Sequence, residues 1–353
     1  MGFIHQSRIT SYELRTATSM PSPEFINELW YGKHPLSLVL APIGWIYRFL
    51  MSVRRIAYQA GLLPVKRVNV PVIIVGNITV GGTGKTPLVI WIAEYLKKNN
   101  FRPGIVSRGY GGKATHWPQQ VRPDSDPVMV GDEPIVIARH TGCPVAASPD
   151  RYTAVVQLLE HQNCNIIVCD DGLQHLALAR DIEIAVVDSI RRFGNGRCIP
   201  AGPLRESVSR LKSVDMIVSN GNPGYGEYPM EYVAKSLHSL SNPDKEISPE
   251  SFRDKTVHAV AGIGHPAKYF SMLRACGMNL IKHEFPDHYQ FRKQDIQFGD
   301  GLPVVMTEKD AVKCMSFADE NHWYLAIDVR MNNIFEHRFS NLLKDITHGQ
   351  KAA

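Results

Sequence analysis

The chain has 353 residues, 44% hydrophobic and 21% charged, with a formal net charge of +5. This length allows two domains with separate cores, and the composition is that of an ordinary globular protein. Six cysteines without any C-x-x-C spacing argue against a zinc site; Cys164 and Cys169 lie in apolar runs and read as reduced core residues of a cytosolic chain.

Charge is unevenly placed. From Leu29 to Ala93 there are seven basic residues and no Asp or Glu, which leaves 32 basic against 34 acidic residues elsewhere. A local basic excess points to a local anionic partner. Residues 1–28 read as an N-terminal extension; they are polar, carry Glu13, Glu24 and Glu28, and do not resemble a signal peptide. Gln6 breaks the myristoylation pattern at Met1-Gly-Phe-Ile-His-Gln-Ser7.

Residues 29–64 form a basic amphipathic segment. The uncharged run His34–Tyr47 contains Pro42 and Gly44 and is shorter than the roughly 20 apolar residues of a membrane span. After Pro42 the period is helical. Ile43, Ile46, Tyr47, Leu50, Val53 and Ala57 fall on one face, and Arg48, Ser52, Arg55 and Gln59 on the other. Two readings stay open here: a helix lying in an anionic membrane interface, or an amphipathic helix packed on the core with its basic face solvated. Trp30, Tyr31, Trp45 and Tyr47 suit the former.

Residues 65–220 carry the strongest signal. Val72-Ile-Ile-Val-Gly is a β-branched run leading to Thr79-Val80-Gly81-Gly82-Thr83-Gly84-Lys85-Thr86, after which a helix begins. Strand, glycine-rich loop and helix make a P-loop. Backbone N–H groups wrap a polyphosphate, Lys85 neutralises its β- and γ-groups, and Thr86 is placed for Mg²⁺. The first position of the pattern is Thr79 instead of glycine. Strands at 104–107, 144–147, 165–169, 182–187 and 215–219 alternate with helices, as in parallel βαβ units. The strand Asn165–Cys169 ends in Asp170-Asp171, a Walker-B pattern; helix capping by Asp171 is the plainer alternative. Gly131-Asp132-Glu133-Pro134 sets two acids at a helix start, where they serve either the helix dipole or chemistry in a nucleotide cleft. Arg191, Arg192, Arg197 and Arg205 make a guanidinium-rich stretch suited to phosphate.

Residues 221–256 are rich in turn dipeptides and read as a linker. Residues 257–353 read as a C-terminal α/β domain. Its Gly262-Ile-Gly264-His265-Pro266-Ala267 fits a dinucleotide turn, but Pro266 and the absence of a following acid argue against NAD. Phe285-Pro-Asp-His288-Tyr289 places a histidine in a turn, where it is either structural or, paired across a cleft with a carboxylate, raises that carboxylate's basicity or orients it. Thr307-Glu-Lys-Asp310 has the wrong order for a guanine-reading motif. The fold class is therefore α/β: a P-loop NTPase-like parallel-sheet domain with a second, smaller Rossmann-like α/β domain.

In chain order, Trp30-Tyr-Gly, Gly76–Thr86, Ser107-Arg108-Gly-Tyr-Gly111, Gly131–Pro134, Asp150-Arg151, Asp170-Asp-Gly-Leu-Gln-His175, Ala201-Gly-Pro-Leu-Arg205-Glu206, Phe285–His288 and Thr307–Asp310 resemble the motifs of the tetraacyldisaccharide 4′-kinases, the lipid A 4′-kinases. The resemblance spans roughly residues 29–328, and a loop lacking the first glycine is common in that family. It implies ATP and Mg²⁺ as cofactors and transfer of the γ-phosphate to the 4′-hydroxyl of a tetraacyldisaccharide 1-phosphate. By the same resemblance Asp132 is the base and His288 its dyad partner. Glu133, Asp170, Asp171 and Thr86 surround Mg²⁺, and Arg108 and Arg205 contact phosphate. The implied partners are a lipid A disaccharide precursor and an anionic inner-membrane surface, with no nucleic acid and no obligate protein partner. The implied location is peripheral, on the cytoplasmic side of the inner membrane. The N-terminal extension and Cys198, at a position expected to be apolar, depart from the pattern. The alternative is a P-loop ATPase or GTPase switch or a metallochaperone. It lacks a correctly ordered guanine motif and Cys or His metal-binding pairs.

Overall fold

A computed structural model describes residues 23–242 and 244–351; most of the N-terminal extension lies outside them. Three helices come first: α1 (Pro23–Tyr31), α2 (Leu36–Val39) and α3 (Ala41–Gln59). They are followed by β1 (Val72–Gly76), α4 (Lys85–Lys98), β2 (Pro103–Ser107), β3 (Gln119–Val121), α5 (Pro127–Val130), α6 (Asp132–Thr141), β4 (Val145–Ala147), α7 (Arg151–His161), β5 (Ile166–Asp170), β6 (Ile182–Asp188) and β7 (Met216–Asn220). Then come β8 (Tyr228–Ser239), β9 (Glu246–Ile247), β10 (Thr256–Ala261), α8 (Pro266–Ala275), β11 (Asn279–Glu284), α9 (Lys293–Ile296), β12 (Val304–Thr307), α10 (Glu308–Cys314), β13 (His322–Met331) and α11 (Asn333–Lys351).

The strands form one sheet in the order β11-β10-β12-β13-β8-β7-β6-β1-β5-β2-β4-β3, with β9 beside β8. The expected α/β class holds. In the first half every pairing from β7 to β4 is parallel. Such strands are covered on both faces and read as near-continuous apolar runs. In β1, Ile73 and Val75 enter the core under α4 and α6, while Val72 and Ile74 enter the core that includes α7.

The stretch 221–256, read as a linker, carries the longest strand of the sheet. β8 is parallel to β7 through Val218↔Tyr228 to Asn220↔Met230, and antiparallel to β13 from Met230↔Met331 to Ser239↔Trp323. Turn dipeptides at both ends hid a strand whose proline, Pro229, stands near its start, where the ladder tolerates it. Because β8 is antiparallel to β13, the second half-sheet runs the opposite way. The carboxyl end of β7 lies level with Met230 and that of β12 level with Leu237, through Thr307↔Leu325↔Leu237. The carboxyl edges of the two half-sheets therefore face each other, separated along β8 by roughly 23 Å at 3.3 Å per residue.

The chain also returns from the second half to the first. On α11, Phe335, Phe339 and Leu343 are buried in the core of the P-loop half, with Phe335 and Phe339 against Trp91 and Phe339 also against Tyr95. A division of the chain at residue 257 thus leaves out the helix that closes the first core. Phe339→Ala is expected to destabilise the protein by about 3–5 kcal/mol in urea unfolding, the usual cost of removing a buried aromatic ring. A loss below 1 kcal/mol would mean that α11 is not part of that core.

Candidate active site

The P-loop hangs between β1 and α4. Its left-handed positions are Gly81 (φ 105°) and Gly84 (φ 93°). At Gly84 a Cβ would lie 2.1 Å from the Tyr232 hydroxyl and 2.9 Å from Asn220 Nδ2, so nothing larger fits. Asn220 Nδ2 also donates to the Thr83 carbonyl at 3.2 Å. Thr79 occupies a different kind of position. It is buried, bridges to Leu204 in β fashion, and is followed by Val80, whose N–H donates to Pro203 O at 2.8 Å. The Arg205 N–H likewise donates to Ile78 O at 2.8 Å. The Ala201–Glu206 segment thus braces the start of the loop, and a strand-like residue suits that place better than glycine.

Asp170 and Asp171, adjacent in sequence, have opposite surroundings. Asp171 (φ 50°) accepts from Arg205 Nη1 at 2.9 and 3.0 Å and lies 3.5 Å from Lys85 Nζ. Burial alone would raise its carboxyl, but Lys85 and Arg205 outweigh burial and hold it well below the usual carboxylate range. Asp170 is fully buried and neither carboxylate oxygen has a hydrogen-bond partner. Burial, reinforced by Glu133 and opposed by Lys85, pushes its carboxyl up to about 7. An unpaired buried carboxylate beside a phosphate loop is a place for a cation. Among the described residues no cluster of three or more His, Cys, Asp or Glu side chains is arranged to hold a metal alone. Mg²⁺ suits such a site, since it needs only one or two carboxylates and completes its shell with phosphate oxygens and water. Thr86, on the first turn of α4, is partly buried.

Asp132 opens α6 and is buried; its Oδ1 accepts from the Glu133 N–H at 2.9 Å. Across the cleft, the loop after β11 presents His288, in left-handed backbone (φ 59°), with Nδ1 3.2 Å from Asp132 Oδ2. Two lysines from α10, which sequence reasoning missed, complete the group. Lys309 Nζ lies 3.2 Å from Glu133 Oε1, and Lys313 Nζ 3.8 Å from Asp132 Oδ2. Burial would raise the Asp132 carboxyl, but Lys309, the His288 hydrogen bond and Lys313 hold it down at about 2. Burial lowers His288, yet its bond to Asp132 leaves it raised overall. Thr307-Glu-Lys-Asp310, which does not fit a base-reading motif, is what delivers Lys309. Asp310 anchors the turn by accepting from the Gly262 N–H at 2.8 Å.

The two halves also meet beside the P-loop. Arg191 Nη1 donates to Gly264 O at 2.7 Å, and Lys268 Nζ donates to Asn220 O at 2.8 Å while lying 3.5 Å from Asp188 Oδ2. The Gly262–Ala267 turn also packs on the phosphate loop itself, where a Cβ at Gly264 would lie 3.3 Å from Gly82 N. Arg108 is exposed at the rim, with its guanidinium 6.0 Å from the Tyr110 ring centre; that ring lies 4.9 Å from His288.

Of the two packings open for the basic helix, the one that buries its apolar face on the core does not occur. α3 docks through Ala41, Gly44 and Tyr47, and a Cβ at Gly44 would meet Cys198 O at 2.8 Å. Cys198 is buried there as a small apolar residue. Arg54 and Arg55 turn inward, to Gln174 O at 3.2 Å and Ser213 Oγ at 2.7 Å. Ile43, Ile46, Leu50 and Val53 instead face solvent, joined by Trp45 and Phe49, and are 47–67% exposed. Among the described residues no helix is long and apolar enough to cross a membrane.

The family model for tetraacyldisaccharide-1-P 4′-kinase matches residues 36–344. The chain belongs to the tetraacyldisaccharide-1-P 4′-kinase family. It is 49% identical over 316 residues to a tetraacyldisaccharide 4′-kinase of Nitrosococcus oceani, covering 89% of this chain and 93% of the relative. It is 50% identical over 294 residues to that of Alkalilimnicola ehrlichii, covering 82% and 88%. Among solved structures, LpxK of Aquifex aeolicus, in complex with ATP, is similar with a TM-score of 0.74 and 28% identity, over 88% of this chain and 99% of that one.

Asp170→Asn removes the unpaired buried charge at constant shape. Because the folded carboxyl is raised, its ionisation destabilises the fold as pH climbs from about 4 toward about 7. In metal-free buffer the variant is expected to melt several degrees higher at mildly alkaline pH than the parent does and to match the parent at acid pH. A melting point that falls at alkaline pH would mean that the carboxylate has a stabilising partner.

Proposed function

We propose that this member of the family transfers the γ-phosphate of ATP to the 4′-hydroxyl of a tetraacyldisaccharide 1-phosphate. The observation that carries the reading is the opposition of two groups across one cleft. The braced P-loop with Lys85 lies on one edge, and a buried Asp132 bonded to His288 lies between the edges.

The residues divide the work as phosphoryl transfer requires, by positioning and neutralising charge with little covalent chemistry. Loop N–H groups from Gly81 to Lys85 and the Lys85 ammonium hold the donor phosphates, while the Val80 N–H is spent on the Pro203 brace. Thr86 and Asp170 would hold Mg²⁺, with Glu133 nearby; Asp171, already paired with Arg205 and Lys85, serves by fixing those two cations. Bound Mg²⁺ supplies charge neutralisation at the β- and γ-phosphates. Asp132 takes the proton of the acceptor hydroxyl. Its low pKa is no obstacle, because proton transfer need only follow bond formation in a loose transition state. His288 holds Asp132 in place, and Arg108 and Arg205 supply further positive charge toward phosphate.

The same reading sets the protein peripherally on the cytoplasmic face of the inner membrane. Its support is the exposed apolar stripe of α3, flanked by Lys33 and Arg48, on the segment free of acidic residues. An amphipathic helix of this kind buries its apolar side at the lipid boundary while basic residues meet anionic headgroups.

Asp132→Ala is expected to lower kcat by roughly 10²–10⁴-fold, the range for a general base, with the KM for ATP little changed. Equal losses in both would argue for a binding role. Ile46→Glu together with Leu50→Glu is expected to abolish co-flotation with anionic phospholipid vesicles while the soluble fold persists. Undiminished flotation would remove α3 from the interface.

A further inference from the structure

Lys309 joins the two pieces of chain that make the Asp132–His288 pair. Its Nζ lies 3.2 Å from Glu133 Oε1, 3.4 Å from Asp287 Oδ1 and 3.4 Å from His288 Nε2. Glu133 follows Asp132 on α6; Asp287 and His288 belong to the loop after β11. The lysine is itself held in place, because α10 is anchored on several sides. Asp310 Oδ2 accepts from Thr307 Oγ1 at 2.6 Å as well as from Gly262, Lys313 Nζ donates to Asp310 Oδ1 at 2.7 Å, and His140 Nε2 lies 2.7 Å from Glu308 Oε2.

An ammonium has only donors, and an ionised carboxylate only acceptors. A neutral imidazole between them satisfies both in one arrangement: Nε2 accepts from Lys309 and Nδ1–H donates to Asp132. The other tautomer would set a lone pair against the carboxylate and an N–H against the ammonium. The backbone of His288 adds a second requirement. Its left-handed conformation is unfavourable for a non-glycine residue and persists where surrounding contacts over-determine it. Lys309 touches both His288 and the preceding side chain.

We propose that Lys309 is a positioning residue: it fixes the ring orientation and tautomer of His288 and, through that ring, the placement of Asp132. This rests on the reading of Asp132 and His288 as the reactive pair.

Lys309→Met keeps the apolar stem and removes donors and charge. It is expected to lower kcat roughly 10- to 100-fold, as loss of an orienting partner does, with the KM for ATP within about twofold of the parent. In a His288→Ala background the same change should have no further effect. In ¹⁵N-histidine NMR spectra taken at a pH high enough for His288 to be neutral, which its bond to Asp132 shifts upward, the parent should show the Nδ1–H tautomer, and Lys309→Met should lose that pattern. Lys309→Arg, which keeps a donor, should retain the pattern and most of kcat. If Lys309→Met melts early, the parent's tautomer and Lys309→Arg decide. The inference is overturned by a parent protonated on Nε2 alone, by an arginine variant without the Nδ1–H pattern, by a full Lys309→Met loss in the His288→Ala background, or by an ATP KM that rises with the fall in kcat. Parental activity in both Asp132→Ala and His288→Ala would instead remove the reactive pair itself.

Discussion

The antiparallel pairing of β8 with β13 is the constraint on which the rest depends. A parallel α/β sheet offers its ligand site at the carboxyl edge of its strands, and a single edge leaves that site open to water. Here β8 extends the first half-sheet and then carries a second one in reverse, so that the two carboxyl edges oppose each other. The register shift at Ala326/Ile327 lies in the span between them; such irregularities increase local twist and re-aim a strand. The P-loop comes from one edge and His288, Lys309 and the Gly262 turn from the other. Neither edge holds the whole set.

Within that cleft the carboxylates are sorted by their partners. Asp171 is committed to Arg205 and Lys85, and Asp132 to His288 with two lysines behind it. Asp170, buried without a partner, is left as an electrostatic debt that a cation bound with the nucleotide can discharge. The arrangement suits a reaction in which charge must be neutralised along a line from donor to acceptor. The helix that bears the exposed apolar stripe, α3, docks at Gly44 against Cys198 and Ala201, next to the segment that braces the start of the phosphate loop.

Much of this was legible in the sequence. The β-branched runs of β1 and β5, the loop glycines and the paired aspartates each announce a local physical need. Thr79 was recognised only by resemblance, and its reason is tertiary: a bridge to Leu204 that no local pattern records. Other features were hidden because they depend on which surfaces meet. Periodicity marks α3 as amphipathic but does not say which face docks. Here small residues at Ala41 and Gly44 allow close approach, and the larger apolar side chains point away. The β8 strand was masked by proline- and glycine-containing turns at its ends. No local pattern marks Lys309, because its partners lie 21 to 176 residues away in the chain.

The central claim is that the facing edges bring ATP and a lipid-borne sugar hydroxyl together for direct transfer. Its most direct test is to incubate the purified full chain with Mg²⁺, γ-labelled ATP and tetraacyldisaccharide 1-phosphate in mixed micelles, and to follow the label. The account predicts label in a lipid bisphosphate, at the 4′-position, in step with ADP formation and abolished by Lys85→Ala. Rapid release of labelled inorganic phosphate with no labelled lipid would contradict it.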